Sequence, residues 1–296
     1  MAAYAGFRGP ARRHRTGPLG ERARLRALAR RVPHAVKGGA DKVSAGPDVR
    51  TALVTGASTG IGAAIARAFG RLGWSVAIGA RRVDRLDPVA RDVKAAGGRV
   101  FSRPLDISDA ASVDAFFDGA EAVFGPLEVV VNNAGIGIPG RLQDLTVEEI
   151  QAEIGVDLIG PMLVSRRALP SMVERRRGEL VFITSANTVA PRPSQIGYTA
   201  SKAGVEAVAR TLKMELEGSG VRSIIVRPGP TLTDFAGDWE PGRVDRLMES
   251  WEGWGLTRHG GLLQPEDIAA AVVTAVTAPA HVHLNEIQID PLAPRE

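Results

Sequence analysis

No cysteine occurs among the 296 residues, which excludes disulfides, thiolate nucleophiles and thiolate metal sites. Histidine is scarce. The five, at positions 14, 34, 259, 281 and 283, show no H-E-x-x-H or comparable ligand spacing. His281 and His283 alternate as they would on one face of a strand, where a surface or subunit contact is the expected role and metal binding is not. Long apolar runs are also missing: stretches such as "IAAAVVTAV" (268–276) reach roughly nine residues, too short to span a bilayer. Nothing in the cysteine usage places the protein outside the cell, and a cytoplasmic location is expected. Tyrosine is the rarest aromatic residue, with two in the chain. One of them, Tyr198 in "GYTASKAG" (197–204), stands four residues ahead of Lys202. It is either an acid and base for chemistry or a core ring at the start of a helix, and the stretch alone does not decide.

Acidic residues are nearly absent from the beginning of the chain. Residues 1–50 hold 12 of the 37 Lys+Arg but only 3 of the 33 Asp+Glu, so the excess of basic charge belongs to this segment and the remainder is net acidic. The chain from residue 51 onward is therefore not expected to bind nucleic acid. The basic segment is rich in Arg, Gly, Pro and Ala and includes "LGERARLRALARRVPHAV" (19–36), in which Leu19, Leu25, Leu28 and Val32 form a thin apolar stripe. A disordered extension with one short helix is expected. An acidic surface, a membrane or RNA could be its partner, and its Arg-rich, acid-poor composition is also that of a transit peptide.

From residue 51 the pattern becomes an alternation. Runs rich in β-branched residues, "TALVTGA" (51), "SVAIGA" (75), "RVFSRPLD" (99), "LEVVVNNAG" (127), "GELVFITSA" (178), "VRSIIVRPG" (221) and "VHLNEIQID" (282), are separated by helical stretches. Near-continuous apolar strands between helices predict an α/β fold, a doubly wound seven-stranded parallel sheet covered on both faces. Asp87 before Pro88 reads as a helix N-cap and Gly97 as the stop of that helix. Thr146 and Glu149 read as a capping box. With no repeat and no later linker, residues 51–296 are expected to form one domain after a 1–50 extension.

"LVTGASTGIGAAIARAFGRLG" (53–73) places Gly56, Gly60 and Gly62 between the first strand and a helix expected to bury Ile61, Ile65, Ala68, Phe69 and Leu72. Glycines there allow a tight turn and close approach of the backbone to a pyrophosphate, which rests on the positive helix start. Ser58, Thr59 and Ile61 share that turn and are expected to line the same ligand. The second strand ends in Arg81 and Arg82, with no acid at 79–82 to hold an adenosine ribose. Arginine there suits a 2′-phosphate, so NADP is favoured over NAD. The bland alternative is that the pair solvates a strand end. Asp84 lies too far along to replace the missing acid.

With "TGASTGIG" (55–62), "NNAG" (132–135), Ser185 and Tyr198-x-x-x-Lys202 in this order, the chain resembles the short-chain dehydrogenase/reductase family over roughly residues 50–292. The resemblance implies a Rossmann-type fold and an NADP(H)-dependent oxidoreductase that interconverts an alcohol and a ketone or aldehyde. It implies Tyr198 as acid/base, its phenolate favoured by Lys202, and Ser185 bonded to the substrate oxygen. Lys202 would also hold the nicotinamide ribose. Asn133, Ala134 and Gly135 would border the adenosine, as would Asp106 with Ile107 beside it. Pro228, Gly229, Thr231 and Thr233 in "RPGPTLT" would wrap the nicotinamide, although Pro228-Gly229 alone is equally an ordinary turn. Family members often carry asparagine where this chain has Asp157, so Asp157 is expected as a member of the proton relay with a slower or pH-shifted reaction.

Three of the four tryptophans, Trp239, Trp251 and Trp254, fall in a region without regular alternation. They either line an apolar substrate pocket or pack a lid onto the body or a neighbouring subunit. The C-terminal "APAHVHLNEIQIDPLAP" resembles the subgroup of serine and 3-hydroxy acid dehydrogenases, whose small polar substrates suit a tryptophan-rich lid poorly. The family's habit implies a homotetramer or homodimer through the helices after the fourth and fifth strands, "AGVEAVARTLKMEL" among them. The competing reading is a dinucleotide-binding regulatory or scaffold protein with little turnover.

Overall fold

A computed structural model describes residues 49–237, 239–256 and 259–294. The basic extension with its amphipathic stretch therefore lies outside the described residues. Strands β1 (Thr51–Thr55), β2 (Ser75–Ala80), β3 (Arg99–Pro104), β4 (Val129–Asn132), β5 (Gly178–Ile183), β6 (Val221–Pro228) and β7 (Glu286–Ile289) make one sheet in the order β3-β2-β1-β4-β5-β6-β7. Every pairing in it is parallel. This is the doubly wound, Rossmann-type sheet.

Side chains alternate between two cores, as the period of two along a strand requires. Val54, Val76, Ile78 and Val131 face one apolar layer together with helices α1 (Gly60–Arg71), α2 (Leu86–Ala95) and α8 (Pro265–Val276). Leu53, Ala77, Val130 and Phe182 face the other, under α3 (Ala110–Phe124), α5 (Gly160–Glu174) and α6 (Ile196–Glu215). Burial on both faces explains why the central strands read as unbroken apolar runs. Helix α4 (Val147–Ile154) continues through a π turn (Gly155–Ile159) into α5, and α7 (Pro241–Gly253) follows β6. From β1 the chain winds outward to β2 and β3, then crosses back to β4. The sheet thus reverses its winding between β1 and β4, and a ligand crevice is expected beyond the carboxyl ends of those strands.

Four local expectations bear on the structure, and three of them need correction. Helix α2 starts at Leu86 after a 3₁₀ turn (Val83–Arg85), so Asp87 sits in its first turn and does not cap it. Leu72 is the C-cap of α1, one residue past its end, and is 42% exposed although Phe69 in the last turn is fully buried, because the helical spacing no longer holds it on the core face. The seventh strand is shorter than the run beginning at Val282. His281 and His283 therefore lie ahead of β7, and His283 Nε2 lies 2.7 Å from the Ser223 carbonyl. The Thr146–Glu149 capping box does open α4, with both reciprocal bonds present.

Candidate active site

The turn from β1 to α1 is held by backbone crowding that only glycine permits. Gly56 and Gly60 adopt φ of 64° and 54°, the left-handed region. A Cβ on Gly56 would stand 2.7 Å from the Ala134 Cα, and one on Gly62 would stand 2.4 Å from Asn133 Nδ2. Asn133 ties the turn down by donating from Nδ2 to the carbonyls of Thr55 (2.9 Å) and Gly56 (3.2 Å). Thr55 Oγ1 in turn accepts the Asn133 and Ala134 N–H groups. The Asn133 amide is thus spent on the turn. Thr59, extended at φ −151°, makes no side-chain cap on α1, which leaves the first-turn N–H donors to whatever lies in front of them.

In front of them is a cleft of about 490 Å³. It runs from Arg81 and Arg82 past the glycine turn to Ser185, Tyr198 and the aromatic pair Phe235 and Trp239. Its walls include Ser58, Ile61, Asp106, Ile107, Ala134, Gly135, Pro228, Gly229, Thr231 and Thr233. Of the residues expected to bind the cofactor or act in catalysis, only Gly62, packed against Asn133 and the Gly56 carbonyl, and Asp157, which is completely buried, stand outside the lining. Asp106 is held below its usual pKa, chiefly by the Ser108 hydroxyl at 2.6 Å.

Ser185 ends the segment after β5, and Tyr198 and Lys202 share one face of the first turns of α6. Lys202 Nζ lies 5.6 Å from the centre of the Tyr198 ring and 3.6 Å from Asp157 Oδ2. Gly135 makes this packing possible, since a Cβ there would stand 3.1 Å from Nζ. The π turn delivers Asp157 into this position, where Oδ1 accepts the Ile136 N–H at 2.7 Å and Oδ2 has no hydrogen-bond partner. Burial raises the Asp157 pKa, against the pull of Lys202. Burial also raises that of Tyr198, which Lys202 and the Ser185 hydroxyl oppose and Asp157 and Glu153 reinforce.

Two carboxylates here were not anticipated from the sequence. Glu206 is buried and braces the segment around Ser185: it accepts from Thr184 Oγ1 (3.0 Å), Thr188 Oγ1 (2.7 Å) and Arg227 Nη2 (2.7 Å). Glu153, one turn before Asp157, is 1% exposed. Burial pushes its carboxyl up to about 7, with the Asp157 charge adding to the effect. A raised acid holds its proton more tightly in the native state. Its contribution to stability is present in full below the ordinary glutamate value of 4.5 and is lost as pH rises through about 7. At about 1.36 kcal/mol per unit the loss is at most roughly 3 kcal/mol. Glu153→Gln cannot titrate and should flatten this part of the curve in denaturant unfolding between pH 4.5 and 8; parallel curves for the two proteins would mean that Glu153 titrates normally.

The three tryptophans divide. Trp239 lines the cleft, edge-on to Phe235 at 5.8 Å, and Phe235 lies 5.4 Å from the Tyr198 ring. Trp251 fastens α7 to the body by donating from Nε1 to the Pro193 carbonyl at 3.1 Å, beneath the Arg192 guanidinium. Trp254 is 73% exposed. Phe235, which completes the aromatic wall, carried no sequence signal of its own.

A doubly wound sheet with this glycine turn and a Ser-Tyr-Lys cluster at its carboxyl edge defines a dinucleotide-type oxidoreductase. The chain belongs to the short-chain dehydrogenase family, whose pattern, described as short chain dehydrogenase, matches residues 50–243. It is 32% identical over 243 residues to an uncharacterised oxidoreductase of Staphylococcus aureus, covering 82% of this chain and 97% of that one. It is 34% identical over 242 residues to the glycine betaine reductase of Emericella nidulans; the match takes in 82% of this chain and spans only 19% of that much longer protein. Among solved structures it is similar to an alcohol dehydrogenase from Thermococcus sibiricus complexed with 5-hydroxy-NADP, at a TM-score of 0.72 and 34% identity over 83% of this chain and 98% of the other. Among the described residues no helix is long and apolar enough to cross a membrane.

Proposed function

We propose that the chain is an NADP(H)-dependent oxidoreductase that interconverts a secondary alcohol and its ketone, or an alcohol and an aldehyde, with Tyr198 as acid and base. The observation that carries this is the convergence of Ser185, Tyr198 and Lys202 on one end of a cleft whose other end holds Arg81 and Arg82. The donor set fits the dinucleotide. The uncapped start of α1 and the glycine cradle suit a pyrophosphate, and the arginines beyond β2 suit a 2′-phosphate. The complex of the Thermococcus sibiricus relative with 5-hydroxy-NADP supports the same choice.

A nicotinamide bound there supplies or accepts a hydride at the substrate carbon. In reduction Tyr198 gives its phenolic proton to the developing alkoxide, and in oxidation the phenolate removes it. The Lys202 ammonium favours that phenolate, and the Ser185 hydroxyl donates to the substrate oxygen as charge grows on it. Asp157 fixes the Ile136 N–H and keeps Lys202 charged and in place. Phe235 and Trp239 wall the substrate end, which favours a substrate carrying an apolar or aromatic group over a small polar hydroxy acid. Pairing of protomers through α5 and α6 is part of this reading, and α5 leaves Met162 and Val173 exposed.

The test is NADPH consumption by the purified protein over a panel of ketones, aldehydes, quinones and keto acids, with NADH in parallel. Turnover with NADPH on aryl or alkyl carbonyls is expected. Tight NADPH binding with no turnover on any member would favour the regulatory or scaffold reading.

A further inference from the structure

Two turns of one helix place carboxyls on alternate N–H groups of one extended segment. Asp157 Oδ1 accepts from Ile136 at 2.7 Å and Glu153 Oε1 accepts from Ile138 at 2.9 Å. Between them Gly137 is pressed against Phe235 and Trp239, where a Cβ would stand 2.7 Å from either ring. The clamped segment is therefore the base on which the aromatic wall rests. The second oxygen of Glu153 is buried without a hydrogen-bond partner. It fills the notch left by Gly197, the residue before Tyr198, where a Cβ would collide with it outright. Sequence and fold thus combine to bring a second carboxyl beneath the tyrosine, one that no part of the proposed chemistry uses.

We infer that Glu153 is a positioning residue that biases this site toward carbonyl reduction: its carboxyl clamps Ile138 and, when ionised, holds Tyr198 as the proton-carrying phenol. This rests on Tyr198 being the acid/base. Among the described residues, few groups face Glu153. Its own helix brings Glu149, which is paired with Arg243 of α7 at 2.8 Å. The π turn brings Asp157, and α6 brings Tyr198 and Lys202. The 136–138 segment brings no charge. Two carboxyls thus flank one ammonium beside the phenol. A negative charge next to a phenol disfavours its ionisation, so reduction, which needs the phenol, proceeds at neutral pH, while oxidation, which needs the phenolate, is pushed to alkaline pH. The raised Glu153 pKa places the change in its charge near neutrality.

The chain's second tyrosine, Tyr4, can be removed, leaving Tyr198 as the sole tyrosine for a spectrophotometric titration that needs no substrate. In the Tyr4→Phe protein, tyrosinate absorbance is titrated with and without Glu153→Gln. The neutral amide should lower the Tyr198 midpoint by at least about half a pH unit, the size expected for removing one nearby charge. An unchanged midpoint in a variant whose near-UV circular dichroism matches the parent would overturn the proposal. Amide exchange separates the clamp from the charge. The side-chain amide of the Glu153→Gln variant can still accept the Ile138 N–H and should preserve its protection, whereas Glu153→Leu should lose it; retained protection in the leucine variant would remove the clamp from the proposal. If carbonyl turnover exists, Glu153→Gln should also shift the alkaline limb of alcohol oxidation to lower pH. Absence of turnover on every substrate would count against the dehydrogenase reading, while the tyrosine titration would still decide the role of Glu153.

Discussion

Tyr198→Phe is expected to lower turnover of any accepted carbonyl by about 10²- to 10⁴-fold, the range for loss of a positioned general acid, with NADPH affinity changed by less than about threefold. The substitution removes one oxygen and keeps the ring, so the contact with Phe235 at 5.4 Å survives. Ser185 remains to bond the substrate oxygen, but an aliphatic hydroxyl is a far weaker acid than a phenol and does not take over the proton transfer. Lys202 remains held by Asp157 at 3.6 Å, so the floor of the cleft stays charged and closed. The distinguishing quantity is the split between kcat and binding. A fall confined to NADPH affinity would make Tyr198 a wall of the dinucleotide site and not an acid, and would remove the central step of the proposed reaction.

Much of this framework was legible because the signals are local. The five central runs were legible as strands because a parallel sheet buries both their faces and so tolerates no alternation, whereas the edge strands β3 and β7 are half-exposed and β7 alternates. The glycine turn was legible because φ above zero at Gly56 and Gly60 has few solutions. What could not be read depends on contacts far apart in sequence. "VEEIQAEI" opens on a capping box, and of its acids Glu148 is exposed while Glu149 is taken up by Thr146 and Arg243. Glu153 is buried, because the notch that accepts it is made by Gly197 on another helix. The π turn at Gly155–Ile159 has no sequence signature, yet it determines which face of the helix Asp157 takes. Asp157 stands out in the sequence as a departure from the family's usual asparagine, but its burial, with one oxygen that makes no hydrogen bond and faces Lys202, depends on the fold. Asp87 looks like a cap in the sequence but is not one, because a 3₁₀ turn ahead of it has already begun to wind the chain.

The cofactor preference offers the second large effect. Replacing Arg81 and Arg82 together by serine should weaken NADPH binding by about 10- to 100-fold while leaving NADH within about threefold, since a charge-assisted hydrogen bond is worth roughly 1.5–3 kcal/mol and only the 2′-phosphate is lost from the comparison. The two arginines are not equal. Arg81 is exposed and water competes for it, so its share is small. Arg82 is half-buried where the chain leaves β2 for the 3₁₀ turn, and a pairing there is less screened. Arg82→Ser alone should therefore account for most of the loss, and Arg81→Ser for little. Salt supplies an independent check. Raising ionic strength from about 0.01 to 0.15 M shortens the Debye length from roughly 30 to 8 Å, so the preference of the parent protein for NADPH over NADH should shrink with salt, and that of the double variant should not. Equal salt dependence in both proteins would mean that the arginines do no more than solvate the end of β2, and that the phosphate is recognised by other groups in the cleft.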